Sequence, residues 1–101
     1  MARYPAGKAD LTDGQLRVVE TPYEQVLVCR VDGLYYCVEN RCSHDDGTLS
    51  GGWIEGCEIE CPRHGARFDV RTGKVLCMPA VVDIESYTVA VEGDELFVEV
   101  D

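Results

Sequence analysis

The polar and apolar positions of this chain alternate or fall in short apolar blocks, and no helix of ordinary length is visible in the pattern. Alternation is cleanest near the end. Tyr87, Val89 and Val91 share one face of a strand over residues 86–91, and Leu96, Val98 and Val100 repeat the pattern after Gly93-Asp94. These two strands are expected to close a basal sheet. Residues 25–31 and 34–38 are apolar on both faces, as strands inside a sandwich are, and Asp32-Gly33 between them reads as a two-residue hairpin turn. That turn pairs Val31 with Leu34 and Cys29 with Tyr36 and sets Cys37 opposite Val28, which puts the Cys29 and Cys37 thiols on opposite faces. A short strand over residues 15–20 follows the Asp13-Gly14 turn and stops at Thr21-Pro22. Residues 57–60, 67–70 and 74–76 are further short strands, the last two flanking a tight turn at Arg71-Thr72-Gly73. The chain reads as all-β, with no repeat and no low-complexity tract.

Beyond Asn40 the period is lost. Ser50-Gly51-Gly52 turns the chain, and Met78-Pro79-Ala80 is a second irregular connection. Both histidines of the protein lie between Asn40 and Met78, in Cys42-Ser43-His44 and, after sixteen intervening residues, Cys61-Pro62-Arg63-His64. Two Cys-His pairs on two loops make four potential metal ligands. Thiolate and imidazole suit zinc and iron alike, so ligand type alone does not decide. A structural zinc site usually takes its ligands at spacings of two to four residues in each half, commonly with the histidines on a helix. The single residue between Cys42 and His44 fits that poorly, and no helical period follows His64. The alternative is a [2Fe-2S] cluster in which two thiolates hold one iron and two imidazoles the other.

The halves Cys42-Ser43-His44-Asp45-Asp46-Gly47 and Cys61-Pro62-Arg63-His64-Gly65-Ala66-Arg67-Phe68-Asp69 resemble Rieske-type ferredoxins, the small carriers that serve ring-hydroxylating and related non-haem iron oxygenases. The likeness extends over nearly the whole chain. It implies the Rieske fold: an antiparallel β-sandwich, residues 1–39 and 82–101, with a small cluster-binding subdomain of about residues 40–81 inserted, the whole being one domain. It implies one Rieske [2Fe-2S] cluster per chain, with Cys42 and Cys61 on the inner iron and His44 and His64 on the outer one. It also implies that a proline-containing loop, here around Pro79, covers the cluster from a third side.

Charge makes the chemistry of such a cluster clear. Two ferric ions, two sulfides, two thiolates and two neutral imidazoles sum to zero, whereas four thiolates would leave two negative charges. An electron is therefore easier to add than in a plant-type ferredoxin at about −400 mV, and such centres span about −150 to +300 mV. Hydrogen bonds to the sulfurs raise the potential within that range. High-potential relatives carry a serine at the position of Ala66 and a tyrosine at that of Phe68, and brace the loops with a disulfide at the positions of Gly47 and Arg63. None of these groups is present here, so a low potential is expected.

Length and composition narrow the rest. At 101 residues and 46% hydrophobic content the chain is one small domain. Neither a signal peptide nor a membrane span is seen, and the protein is read as cytoplasmic and monomeric. Of the six cysteines, Cys29, Cys37, Cys57 and Cys77 remain outside the ligand set and are expected to stay reduced, Cys29 and Cys37 as small apolar residues. The net charge of −10 is uneven: residues 41–74 carry five basic and six acidic side chains, a net of −1, and the remainder carries −9. That balance argues against nucleic acid and anionic membranes as partners. Near the ligands, Trp53 is expected to pack beneath the loop, with contact to a partner as the alternative. Arg63 and Arg67 either orient a partner or are solvated, and Asp45 and Asp46 read as turn residues.

The resemblance implies a one-electron carrier, not a converter of substrate. It would take electrons from a flavin-dependent NAD(P)H ferredoxin reductase and pass them to a terminal oxygenase. The alternative is a Rieske-like small subunit of a multicomponent reductase such as nitrite reductase. No G-x-G-x-x-G dinucleotide motif is present, and both histidines are already used.

Overall fold

The computed structural model describes residues 2–44 and 46–100, and among them it contains ten strands and no helix. In chain order these are β1 (Ala2–Lys8), β2 (Leu16–Glu20), β3 (Gln25–Val31), β4 (Leu34–Glu39), β5 (Trp53–Glu55), β6 (Glu58–Glu60), β7 (Arg67–Asp69), β8 (Val75–Cys77), β9 (Ser86–Glu92) and β10 (Glu95–Val100). They form a six-stranded sheet in the order β1-β10-β9-β4-β3-β2 and a four-stranded sheet β5-β6-β7-β8. Every pairing is antiparallel.

The β3–β4 hairpin has the register its turn dictates. Val31 pairs with Leu34, Cys29 with Tyr36 and Val28 with Cys37. Asp32 and Gly33 both have positive φ, 51° and 81°, the backbone of a type I′ turn, whose twist matches that of the strands it joins. The Gly33 amide also donates to Asp13 Oδ1 at 3.0 Å, tying this turn to the Asp13-Gly14 turn.

The hairpin is buried on both faces, which explains its unbroken apolar run. Val26, Val28 and Cys37 pack with Ala6, Leu96 and Val98 inside the curled six-stranded sheet. Leu27, Cys29, Val31 and Val38 pack with Ile59, Phe68, Val70 and Ile84, the bridge to the smaller sheet. Complete burial of a side chain such as Phe68 stabilises the fold by about 2–3 kcal/mol. Burial also pushes the Cys29 and Cys37 thiols up to about 12, helped at Cys29 by nearby Cys57 and at Cys37 by Cys29.

The six-stranded sheet leaves β1 and β2 as its edges. Arg17 of β2 closes the seam between them by donating to the Ala6 and Lys8 carbonyls of β1 at 2.9 and 2.8 Å and to Asp10 Oδ1 at 2.5 Å.

Two strands lie outside the sequence expectations. β1 is interrupted by Pro5 and Gly7, and its register shifts between Pro5 and Lys8; it is an edge strand, where a missing N–H is tolerated. β5 is only three residues long. Val91 lies opposite the buried Leu96 but is itself 53% exposed, next to the β9–β10 turn.

Candidate metal centre

The two loops that carry the Cys-His pairs are the same piece of backbone twice. In the first, the Cys42 amide donates to the Gly47 carbonyl at 2.7 Å and the Asp46 amide to the Cys42 carbonyl at 2.8 Å. In the second, the Cys61 amide donates to the Ala66 carbonyl at 2.8 Å and the Gly65 amide to the Cys61 carbonyl at 3.2 Å. The fifth residue of each has positive φ, 60° at Asp46 and 77° at Gly65, a region glycine enters without strain and aspartate more readily than most residues. Asp46 is thus a turn residue, as read; Asp45 lies outside the described residues.

This frame separates the ligand types by depth. Cys42 and Cys61 are fully buried in one apolar cluster with Leu49, Ala66, Phe68 and Ala80. His44 and His64 are exposed, their rings edge to face with centroids 5.4 Å apart. All four sequence-predicted site residues therefore lie on two adjoining loops, thiols inward and imidazoles outward.

The donor chemistry fits a two-iron cluster. Among the described residues, no three His, Cys, Asp or Glu side chains gather where a single ion could be held. A Rieske cluster asks only two protein ligands of each iron, thiolates on one and imidazoles on the other. Ala66 and Phe68 are buried beside the thiols and bring no hydroxyl.

Two buried polar residues at the end of β4, Glu39 and Asn40, anchor this region, and the sequence reading did not single them out. Asn40 Oδ1 accepts from the Leu49 and Ser50 amides, both at 2.9 Å, and its Nδ2 donates to Gln25 Oε1 at 3.1 Å. The first ligand loop is thereby latched to β3. Glu39 Oε1 accepts from the Glu85 amide at 2.9 Å, holding the segment by which the chain returns to the larger sheet. The only sequence signal was the loss of strand period beyond Asn40.

Other expectations fare differently. Trp53 is 47% exposed at the start of edge strand β5, not packed beneath the loop. Arg67 is paired within its own chain: its guanidinium sits among Glu60, Glu58 and Glu55 at 2.6, 3.5 and 3.7 Å, and the hydrogen bond to Glu60 strengthens its hold on its proton. Arg63 is exposed. Among the described residues no disulfide is formed, and no helix is long and apolar enough to cross a membrane.

Twin loops offering buried thiols and exposed imidazoles suit an iron–sulfur protein of the mixed-ligand kind. The chain belongs to the Rieske [2Fe-2S] domain family, whose model matches residues 4–88. Its cofactor is one Rieske cluster, and it is an electron carrier of the ferredoxin kind. It is 39% identical over 92 residues to the ferredoxin component of biphenyl 2,3-dioxygenase from Rhodococcus jostii (strain RHA1), covering 91% of this chain and 86% of that one. To the ferredoxin component of the naphthalene 1,2-dioxygenase/salicylate 5-hydroxylase systems of Ralstonia sp. it is 41% identical over 83 residues, 82% and 80% of the two chains. The ferredoxin of carbazole 1,9a-dioxygenase from Nocardioides aromaticivorans IC177 has the same fold, with TM-score 0.91, 34% identity and 97% of each chain covered. A chain in a solved complex of reduced oxygenase and oxidised ferredoxin of carbazole 1,9a-dioxygenase matches at TM-score 0.90 and 33% identity, with 95% of this chain and 91% of that one covered. The terminal oxygenase of carbazole 1,9a-dioxygenase from Novosphingobium sp. KA1 contains a similar domain, with TM-score 0.83, 27% identity, and 95% of this chain but 29% of that one covered.

Proposed function

We propose that Cys42 and Cys61 hold the inner iron of the cluster and His44 and His64 the outer one, and that about residues 40–81 act as the cluster-binding unit. The observation that carries this assignment is the depth sorting on twin loops: buried thiols below, imidazoles 5.4 Å apart at the surface. When bound, the cluster takes up and gives back one electron at a time. The chain's own residues insulate its thiolate side with Leu49, Ala66 and Phe68 and leave its imidazole side open to a partner.

The carrier takes electrons from a flavin-dependent NAD(P)H reductase and delivers them to a terminal oxygenase, acting as a cytoplasmic monomer with neither nucleic acid nor membrane as partner. The relatives in dioxygenase systems support this reading, and they favour it over a fixed reductase subunit. The absence of hydroxyls at Ala66 and Phe68 supports a potential near the bottom of the Rieske range, about −150 mV.

A redox titration of the purified protein, followed by electron paramagnetic resonance of the reduced form, tests both parts. A low average g value that is lost in His64→Ala, with a midpoint near −150 mV, is the expected result. A colourless zinc protein would overturn the ligand assignment, and a midpoint above about +100 mV would overturn the argument from Ala66 and Phe68.

A further inference from the structure

The smaller sheet ends where the second ligand loop begins. Glu60 closes β6, Arg67 opens β7, and the two are direct partners in the ladder, so the loop between them carries both Cys61 and His64. Their side chains lie across the neck of that loop, with Arg67 Nη2 2.6 Å from Glu60 Oε1. A Cβ at Gly65, the residue after His64, would lie 3.9 Å from Glu60 Oε2.

One ion pair would be enough to close a loop, but this face of the sheet holds more. Ile59 and Phe68 turn inward to the apolar cluster, so the residues on either side of them along each strand turn outward together. Glu55 and Glu58 are directly opposed in the ladder, a placement of like charges that costs stability. Both approach the same guanidinium, at 3.7 and 3.5 Å. Asp69, on the same face, has a cation of its own in Arg71. Arg67 therefore answers three carboxylates, and the group keeps a net charge of −2 beside the loop.

Electron uptake takes a Rieske centre from neutral to one negative charge, so fixed carboxylates close by oppose it and a guanidinium favours it. We infer that the outer face of the smaller sheet sets the midpoint potential: Glu55, Glu58 and Glu60 press it down, adding to the lack of hydroxyls at Ala66 and Phe68, and Arg67 limits how far it falls. This rests on the ligand set proposed above and deepens the low-potential reading. One unit charge at a partly solvated surface changes the uptake equilibrium by a factor of about two to ten, or about 20–60 mV for a one-electron couple.

The test is a redox titration of the holoprotein and its variants, with urea denaturation of each recorded separately. Arg67→Gln is expected to lower the midpoint by about 20–60 mV and Glu60→Gln to raise it by a similar amount. Both substitutions weaken the same ion pair, so a merely structural role would move the two midpoints in the same direction. Only charge gives them opposite signs. Glu58→Gln leaves the bond between Arg67 and Glu60 in place and is expected to raise the midpoint as well, which keeps the test open if that bond is needed for folding. A midpoint that falls in Glu60→Gln, or one that stays at the wild-type value in both Arg67→Gln and Glu58→Gln, would overturn the inference. A wild-type protein without a Rieske signal would overturn the ligand set and the inference with it, whereas a high wild-type midpoint with the opposed shifts intact would remove only the argument from Ala66 and Phe68.

Discussion

Replacing Asn40 by leucine keeps the number and branching of the side-chain heavy atoms but removes the three side-chain hydrogen bonds that Asn40 makes, two from the Leu49 and Ser50 amides and one to Gln25. The Leu49 amide belongs to a completely buried residue and has no route to water, so leaving it unsatisfied costs about 1–3 kcal/mol. The Ser50 amide is partly buried and adds about 0.5–1 kcal/mol. Gln25 Oε1 is on an exposed residue and recovers a partner from solvent. Burying the apolar leucine returns about 1 kcal/mol, so the net loss is about 0.5–3 kcal/mol, a substantial share of the 5–15 kcal/mol typical of a domain. Cluster loss makes unfolding irreversible, so the quantity to follow is a rate, the bleaching of the visible chromophore in urea. If the latch opens before the transition state, bleaching accelerates by about two- to a hundredfold. Asn40→Asp keeps the acceptor for both amides and falls well short of that. Bleaching of Asn40→Leu no faster than that of the wild type, or Asn40→Asp bleaching as fast as Asn40→Leu, would refute the reasoning.

Three further perturbations have defined outcomes. In Gly52→Ala the new Cβ would lie 1.9 Å from the Glu60 carbonyl oxygen and 3.2 Å from that of Leu49; backbone atoms on both sides cannot yield, so thermal denaturation should show a loss of about 1–3 kcal/mol or more. Burial raises the folded-state thiols of Cys29 and Cys37 from the ordinary 9.0 to about 12, so their contribution is complete below pH 9 and disappears as pH rises towards 12. Denaturant titrations across that range should show stability falling, with a shallower fall in Cys37→Ala. The Asp69 carboxyl is held below its ordinary 3.8 by hydrogen bonds from the Arg71 guanidinium and then from the Arg71 amide. Its contribution is therefore present above pH 3.8 and lost as pH falls through the lower folded value. Asp69→Asn should be less stable than the wild type at neutral pH and should lose less on acidification, as read by the shift of the thermal midpoint between pH 6 and 3.

The parts of this molecule that sequence reveals are those governed by local chemistry. Asp32-Gly33 can form only a few turns, and its turn dictates the pairing of Cys29 with Tyr36 and the opposite faces of the two thiols. The Cys-His spacings likewise announce two loops with a common purpose. What stayed hidden depends on contacts distant in the chain. Nothing in the neighbourhood of Asn40 says that its amide will be buried against residues 25, 49 and 50. The strand around Pro5 looks like a broken segment until β10 is laid beside it. An aromatic next to two glycines suggests a packed loop, but at Trp53 the chain forms the outer edge of a sheet, which neighbouring residues alone do not reveal.

The pairing of β1 with β10 places Ala2 opposite Val100, so the fold is entered and left at one spot. A domain whose two ends meet can be spliced into a longer polypeptide as a loop is, with no rearrangement of its interior, or cut and rejoined as a circular permutant. The oxygenase from Novosphingobium sp. KA1, of which the matched region is 29%, carries a similar domain as one portion of a larger whole. The same architecture can thus travel as a separate molecule or be built into a larger one, because it makes no demand on what its neighbours in the chain do.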